Sequence, residues 1–245
     1  MSDNHLIIFI KYPEPGKVKT RLSKGIGKEN ATKLYKLFVE TLLMRVSRNR
    51  TYSGNKNELN GAYEITIFFT PEDRRREIEN WLGQEYKNKL YPQSGNDLGE
   101  RISNAFRQIS NSGAKKAVII GSDTPALDKE TILQSFDLLS HNDTVIGPTK
   151  DGGYFLLGLS FSRDSFKMDK AWKIFTGIEW STENVFTQTI EIVKKCGITY
   201  ELLSQYYDID TQSDLYCLKH DIEKIKDIKG EHLHEIYDHL VVLNI

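Results

Sequence analysis

The sequence predicts an α/β domain built on a mostly parallel sheet with helices on both faces. Three observations predict it. Short apolar runs alternate with longer amphipathic segments along the chain. The runs read as buried strands, the pattern of a sheet covered on both sides. The polar residues that carry chemistry cluster directly after those runs, where ligands bind in such sheets.

Leu6 to Ile10 is the first strand, closed by Lys11. A loop with Pro13, Pro15 and Gly16 follows, and Lys28 to Val46 is a long helix, with Leu34, Leu37, Phe38, Leu42 and Val46 at helical spacing. Thr51 to Gly61 is polar and Asn/Gly-rich, hence an exposed loop. Glu64 to Phe69 is the second strand. Thr70-Pro71-Glu72-Asp73 predicts a helix start, with Thr70 as N-cap and Pro71 at the first helical position. Lys89 to Tyr91 is a short strand and Asp97 to Ser110 a helix. Ala117 to Ile120 is a strand, Asp128 caps a helix to about Ser140, and Thr144 to Ile146 and Tyr154 to Leu159 are apolar runs. Thr182 to Lys195 is helical, Ile198 to Leu203 strand-like, and Glu231 to Ile245 a terminal amphipathic helix. With no internal repeat and no linker, residues 1–245 are expected to form a single domain.

Composition narrows the classes. Hydrophobic residues make up 39% and charged residues 27%, as in soluble proteins. The net charge of −1 supplies no global footprint for nucleic acid or an anionic membrane. The first apolar run has five residues; a secretory signal needs about 7–15 and a membrane span about 20. Cys196 and Cys217 are too few for a disulfide framework and are expected as buried thiols, which fits a cytoplasmic protein. His232, His234 and His239 lack the spacing of a His-Glu-x-x-His zinc helix.

Four stretches carry the chemistry. After the first strand, Lys11, Lys17, Lys19 and Arg21 place four cations within eleven residues around Gly16. A diphosphate needs such cations and close backbone approach; a solvated basic turn is the bland alternative. The spacing is neither that of a Walker A loop nor Gly-x-Gly-x-x-Gly. Gly121-Ser122-Asp123-Thr124-Pro125 puts a carboxylate at a strand end, either a ligand for Mg2+ or Mn2+ or an Asx turn. In Asp208-Ile209-Asp210 alternation places both acids on one side if the segment is extended. Otherwise Asp210 caps a helix and Asp208 is solvated. Asp151-Gly152-Gly153-Tyr154 is a ligand-approach loop or a hairpin turn, and Trp180-Ser181-Thr182 a substrate loop or a helix cap.

Taken in order, Lys11-Tyr12-Pro13-Glu14-Pro15-Gly16-Lys17-Val18-Lys19-Thr20-Arg21-Leu22, Asn96-Asp97-Leu98-Gly99-Glu100-Arg101, Gly121 to Pro125, Gly147-Pro148 with Asp151 to Tyr154, Trp180 to Thr182 and Asp208 to Thr211 resemble the DUF2064 group. That is a glycosyltransferase-like family of the GT-A nucleotide-diphospho-sugar transferase superfamily, similar to phospholactate guanylyltransferases. The resemblance implies a three-layer α/β/α, Rossmann-like GT-A fold with a mixed sheet. It implies nucleotide contacts from Lys11, Gly16, Lys19, Thr20, Arg21, Asp97, Gly99 and Arg101, and a metal site at Asp123 and Asp210. It places Gly152, Gly153, Tyr154, Trp180, Ser181 and Thr182 against the second substrate. Many glycosyltransferases of the superfamily carry an Asp-x-Asp pair; here Gly121-Ser122-Asp123 has only the last acid.

The first expectation is therefore a metal-dependent glycosyltransferase. It would take a nucleoside-diphosphate sugar and a small-molecule acceptor, with Lys19 and Arg21 on the diphosphate and Asp151 as general base. The alternative is a guanylyltransferase-like nucleotidyltransferase, which joins a nucleoside triphosphate to a phosphorylated small molecule and releases pyrophosphate. Neither oligomeric state nor acceptor is written in the residues.

Overall fold

The computed structural model describes residues 2–47, 62–162, 171–225, 227–229 and 232–245. The loop expected over Thr51 to Gly61 and the start of the tail at Glu231 lie outside the described residues. Among the described residues seven strands form one sheet: β1 (Asn4–Lys11), β2 (Glu64–Thr70), β3 (Leu90–Pro92), β4 (Lys116–Ile120), β5 (Thr144–Pro148), β6 (Tyr154–Ser160) and β7 (Tyr200–Leu202). Their order is β3-β2-β1-β4-β6-β5-β7. Only β6 runs antiparallel to its neighbours, β4 and β5. The sheet is mixed and mostly parallel, as expected.

The helices are α1 (Ser23–Ile26), α2 (Lys28–Ser47), α3 (Arg75–Leu82), α4 (Leu98–Asn111), α5 (Lys129–Leu138), α6 (Val185–Lys195), α7 (Gln212–Glu223) and α8 (His234–Val242). Strand β1 shows how the layers arise. Its side chains alternate across the pleat, so Leu6, Ile8 and Ile10 join one apolar cluster and Ile7 the other. The first cluster takes Leu42 and Val46 of α2, Ile78 of α3 and Phe136 of α5. The second takes Ile102 and Phe106 of α4 and Val193 of α6. Helices therefore cover both faces, giving three α/β/α layers. Each fully buried Leu, Ile or Phe contributes roughly 1.5–3 kcal/mol.

A third cluster lies beyond the sheet. Leu34 and Phe38 of α2 pack with Leu22 and Ile209, with Leu215 and Leu218 of α7, and with Ile236 and Leu240 of α8. The long helix thus has two buried sides: one holds the sheet and the other holds the segment that carries the late aspartates.

Three local expectations are corrected. Strand β2 runs through Thr70, and Pro71 is extended rather than helical. A 3-10 turn over Glu72–Arg74 intervenes before α3 begins at Arg75, so Thr70 is not its cap. Helix α6 begins at Val185, and Thr182 lies in the turn before it. Cys217 is exposed, not buried, because α7 turns Leu215, Leu218 and Ile222 inward; Cys196 is half-buried.

The start of α7 positions the site directly. Thr211 is the N-cap and forms a capping box with Asp214. Asp214 Oδ2 accepts from the backbone N–H of Thr211 at 2.6 Å and of Asp210 at 3.0 Å. The cap falls to Thr211, which leaves the Asp210 carboxylate for other partners. Asp214→Ala removes an acceptor from both N–H groups and should cost about 1 kcal/mol. A urea midpoint unchanged from the parent chain would contradict this.

Candidate active site

Strands β1 and β4 are parallel neighbours, so their carboxyl ends lie side by side. After β1 the chain runs through Tyr12, whose N–H donates to Thr70 O at 2.8 Å, into a turn anchored by the buried Val18 and Leu22. Between those anchors Lys19 has φ 47°, a left-handed conformation that side chains other than glycine rarely adopt. The turn points its side chain inward, where only 3% is exposed.

The Lys19 ammonium sits between two carboxylates. Its Nζ lies 2.5 Å from Asp123 Oδ1 and 3.2 Å from Asp210 Oδ1. Burial is the largest single influence on Lys19 and pulls its pKa down. Asp123 and Asp210 together pull harder, and the net shift is upward. Arg21 reaches the other Asp210 oxygen, Nη1 to Oδ2 at 3.3 Å, and is 66% exposed.

Each acid is held from behind. Asp123 follows Ser122, whose hydroxyl pairs with the Tyr35 hydroxyl of α2 at 3.1 Å; that phenol also accepts from Lys11 N–H at 2.8 Å. Burial pushes the Tyr35 phenol up, so it stays a neutral donor. The Ile209 N–H donates to Asp123 O at 3.1 Å. Ile209 itself is buried in the third cluster, so Asp208 and Asp210 emerge on the opposite side, as alternation predicts. Asp208 is half-buried rather than freely solvated. Burial first, then the nearby Asp123 and Asp151 charges, push its carboxyl up to about 7, against the pull of Lys19.

These groups face a cavity of about 720 Å3 at the carboxyl ends of the strands, lined also by Lys11, Lys17, Thr20, Gln93, Asp97, Arg101, Tyr154, Trp180 and Ser181. Gly16, Gly99, Asp151, Gly152, Gly153 and Thr182 are not in its lining. A second cavity, about 490 Å3, opens near His5 and Glu64 at the opposite strand ends, away from these acids.

The residues outside the lining have structural places. Residues 149–153 form the hairpin turn between β5 and β6, with Thr149 N–H donating to Gly153 O. Gly152 has φ 88°, and a Cβ there would lie 2.0 Å from Glu183 O, so the turn packs directly on the entry to α6. Asp151 is exposed, and its Oδ1 accepts from Thr149 Oγ1 at 2.5 Å and from Gly153 N–H at 3.3 Å. Gly99, in the first turn of α4, lies under the Trp180 indole; a Cβ there would be 2.2 Å from Nε1. The Tyr154 ring meets Trp180 edge-on, with centroids 6.5 Å apart. Sequence reasoning named Lys17 only within the basic cluster and Asp208 only within the Asp208-Ile209-Asp210 pattern, and it missed Gln93 and Tyr35. Nothing distinguished Tyr35 from its apolar neighbours on α2. Gln93 Nε2 donates to Ile10 O and Phe68 O, tying the loop after β3 to the ends of β1 and β2.

A sheet of this order, with strand-end acids and a cationic turn after its first strand, defines the GT-A type of nucleotide-diphospho-sugar transferase fold. A crystal structure from Desulfovibrio desulfuricans G20, provisionally named a nucleotide-diphospho-sugar transferase, superposes with a TM-score of 0.85. It is 30% identical and covers 100% of this chain and 98% of its own. A cytidylyltransferase from Leptospira borgpetersenii serovar Hardjo-bovis shares the fold alone, with a TM-score of 0.53, 14% identity and coverage of 99% and 97%. The profile of a family described as "uncharacterized protein conserved in bacteria (DUF2064)" matches residues 56–182, just over half the chain. The chain belongs to that family. A 2-phospho-L-lactate guanylyltransferase from Methanocaldococcus vulcanius is 25% identical over 154 residues; the match spans 63% of this chain and 61% of that protein. Among the described residues no helix is long and apolar enough to cross a membrane.

The Gly99–Trp180 contact gives a direct test of this wall. Gly99→Ala should drive the indole from its seat and cost about 1–3 kcal/mol. Comparison with Trp180→Phe isolates the Trp180 fluorescence from that of Trp81 and Trp172. An unshifted Trp180 emission in the alanine variant would refute the packing.

Proposed function

We propose that this protein is a metal-dependent nucleotidyltransferase that joins a nucleoside triphosphate to a phosphorylated small molecule and releases pyrophosphate. The observation that carries this reading is Lys19, buried between Asp123 and Asp210 beside Arg21. Two cations converging at one point suit the charge that develops on a leaving pyrophosphate. A phosphate acceptor is itself an anion near neutral pH, with a second pKa of about 6, and needs no general base. This fits Asp151, whose Oδ1 is engaged within its own hairpin. The single acid of Gly121-Ser122-Asp123 and the named activity of the guanylyltransferase relative favour the same reaction.

The donor set suits a divalent cation. Asp123 and Asp210 present hard oxygens at one place. Among the described residues no three His, Cys, Asp or Glu side chains are grouped to enclose a metal. Mg2+ or Mn2+ would therefore take Asp123 and Asp210 together with phosphate oxygens and water, the habit of Mg2+ in phosphate sites. Such an ion offsets negative charge on the phosphates. The chain's own groups do the rest: Lys19 and Arg21 hold phosphoryl oxygens, and the Arg101 side of the cavity takes the nucleoside.

Glycosyl transfer from a nucleoside-diphosphate sugar is the second reading. The Trp180 and Tyr154 wall favours it, since an aromatic surface suits the apolar face of a sugar ring. The product separates the two. Nucleoside triphosphates with phosphorylated acceptors, and nucleotide sugars with hydroxyl acceptors, are incubated with Mg2+ or Mn2+. Pyrophosphate release supports the first reading and nucleoside diphosphate release the second. Asp123→Ala should lower turnover at least about a hundredfold in either case. Full activity of that variant with added metal would refute the metal assignment.

A further inference from the structure

The space between Asp123 and Asp210 is filled by a side chain of the protein itself. The Lys19 ammonium contacts Oδ1 of both, and with Arg21 on Asp210 Oδ2 the two carboxylates already meet two cations. Among these four groups the charges pair one for one with no ligand present. A divalent cation arriving alone would sit on the same oxygens, a few ångströms from an ammonium it repels. Lys19 cannot simply swing into solvent. Its side chain is 3% exposed, and its backbone is held at φ 47° between the buried Val18 and Leu22.

A polyphosphate changes the balance. It brings at least two negative charges and offers oxygens to Lys19 and to Arg21, which at 66% exposed can turn with little desolvation. The carboxylates then lose their counter-ions and the site acquires a negative excess that a divalent cation relieves. We infer that Lys19 is the internal counter-ion of the Asp123–Asp210 pair, keeping the metal position closed until the phosphates of the nucleotide draw the ammonium away. Metal and nucleotide accordingly enter together, and the free protein has little affinity for metal alone. This inference rests on the metal reading above.

The experiment titrates Mn2+ alone into the full chain, reading free Mn2+ by electron paramagnetic resonance. Lys19→Met, its fold checked by circular dichroism, should bind Mn2+ at least about tenfold tighter than the parent chain, a shift of about 1.4 kcal/mol. The gain should disappear in Lys19→Met/Asp123→Asn. Lys19→Gln, which keeps a polar group without the charge, serves if the methionine variant does not fold. The parent chain should bind Mn2+ only when GTP or UDP-glucose is added, read by water-proton relaxation. Tight, Asp123-dependent binding of Mn2+ by the parent chain without nucleotide overturns the inference and leaves the metal site standing. Folded Lys19 variants that bind Mn2+ no better than the parent chain also overturn it. If Mn2+ binds no form with or without nucleotide, the metal reading falls as well.

Discussion

The site depends on one buried cation shared by two acids that lie far apart in sequence. Lys19 meets Asp123 and Asp210 after a turn, a strand end and a helix entry have each been fixed independently. A buried ion pair stabilises only when its geometry is good and its remaining lone pairs are satisfied; otherwise desolvation outweighs attraction. That requirement explains the surrounding effort. Tyr35 ties the ends of β1 and β4 together through Lys11 and Ser122. Ile209 joins the late segment to Asp123 by backbone and to the third apolar cluster by side chain. The capping box at Thr211 fixes the backbone that carries Asp210. The sheet supplies strand ends, but α2, with two buried sides, holds both acid-bearing segments to it.

The legible part of this arrangement was the part governed by local period. Unbroken apolar runs gave β1 and β4 because both are interior strands covered on two faces. Knowing where they end gave Lys19 and Asp123, since residues past a parallel strand face the ligand side. The alternation of Asp208, Ile209 and Asp210 places both acids on one side if the segment is extended, and Ile209 between them is buried. What stayed hidden depends on partners rather than on period. An apolar run does not state its direction, so β6 gave no sign that it runs antiparallel. Tyr35 shares a helix face with Val39 and Leu42, and only the tertiary contact distinguishes it. Thr70-Pro71 satisfies the rule for a helix start, yet β2 keeps pairing with β1 as far as Lys11 and Thr70, and the extended strand overrides the local signal.

Gly99 and Trp180 show a second limit of motif reading. The resemblance assigns the first to the nucleotide and the second to the other substrate, as if they belonged to separate halves of the cavity. In the fold they touch, with the indole lying where a Cβ on Gly99 would be. The loop before α6 is fastened in turn: Gln188 Oε1 accepts from Glu179 N–H at 2.8 Å, and Gln188 Nε2 donates to Glu179 Oε2 at 3.0 Å. A shift of α4 would therefore reach Trp180 by direct contact.

The cavity therefore has a polar logic across its width. One side holds Lys19 and Arg21 paired with Asp123 and Asp210. The other side holds Tyr154 and Trp180, which offer area rather than charge. A group resting on the aromatic side leaves the ion pairs undisturbed, whereas an anion reaching Lys19 or Arg21 would have to compete with Asp123 and Asp210. Apolar area and charge are thus supplied by different walls of one cavity. The hairpin carrying Asp151 stands outside both, closed on its own hydrogen bonds against the start of α6.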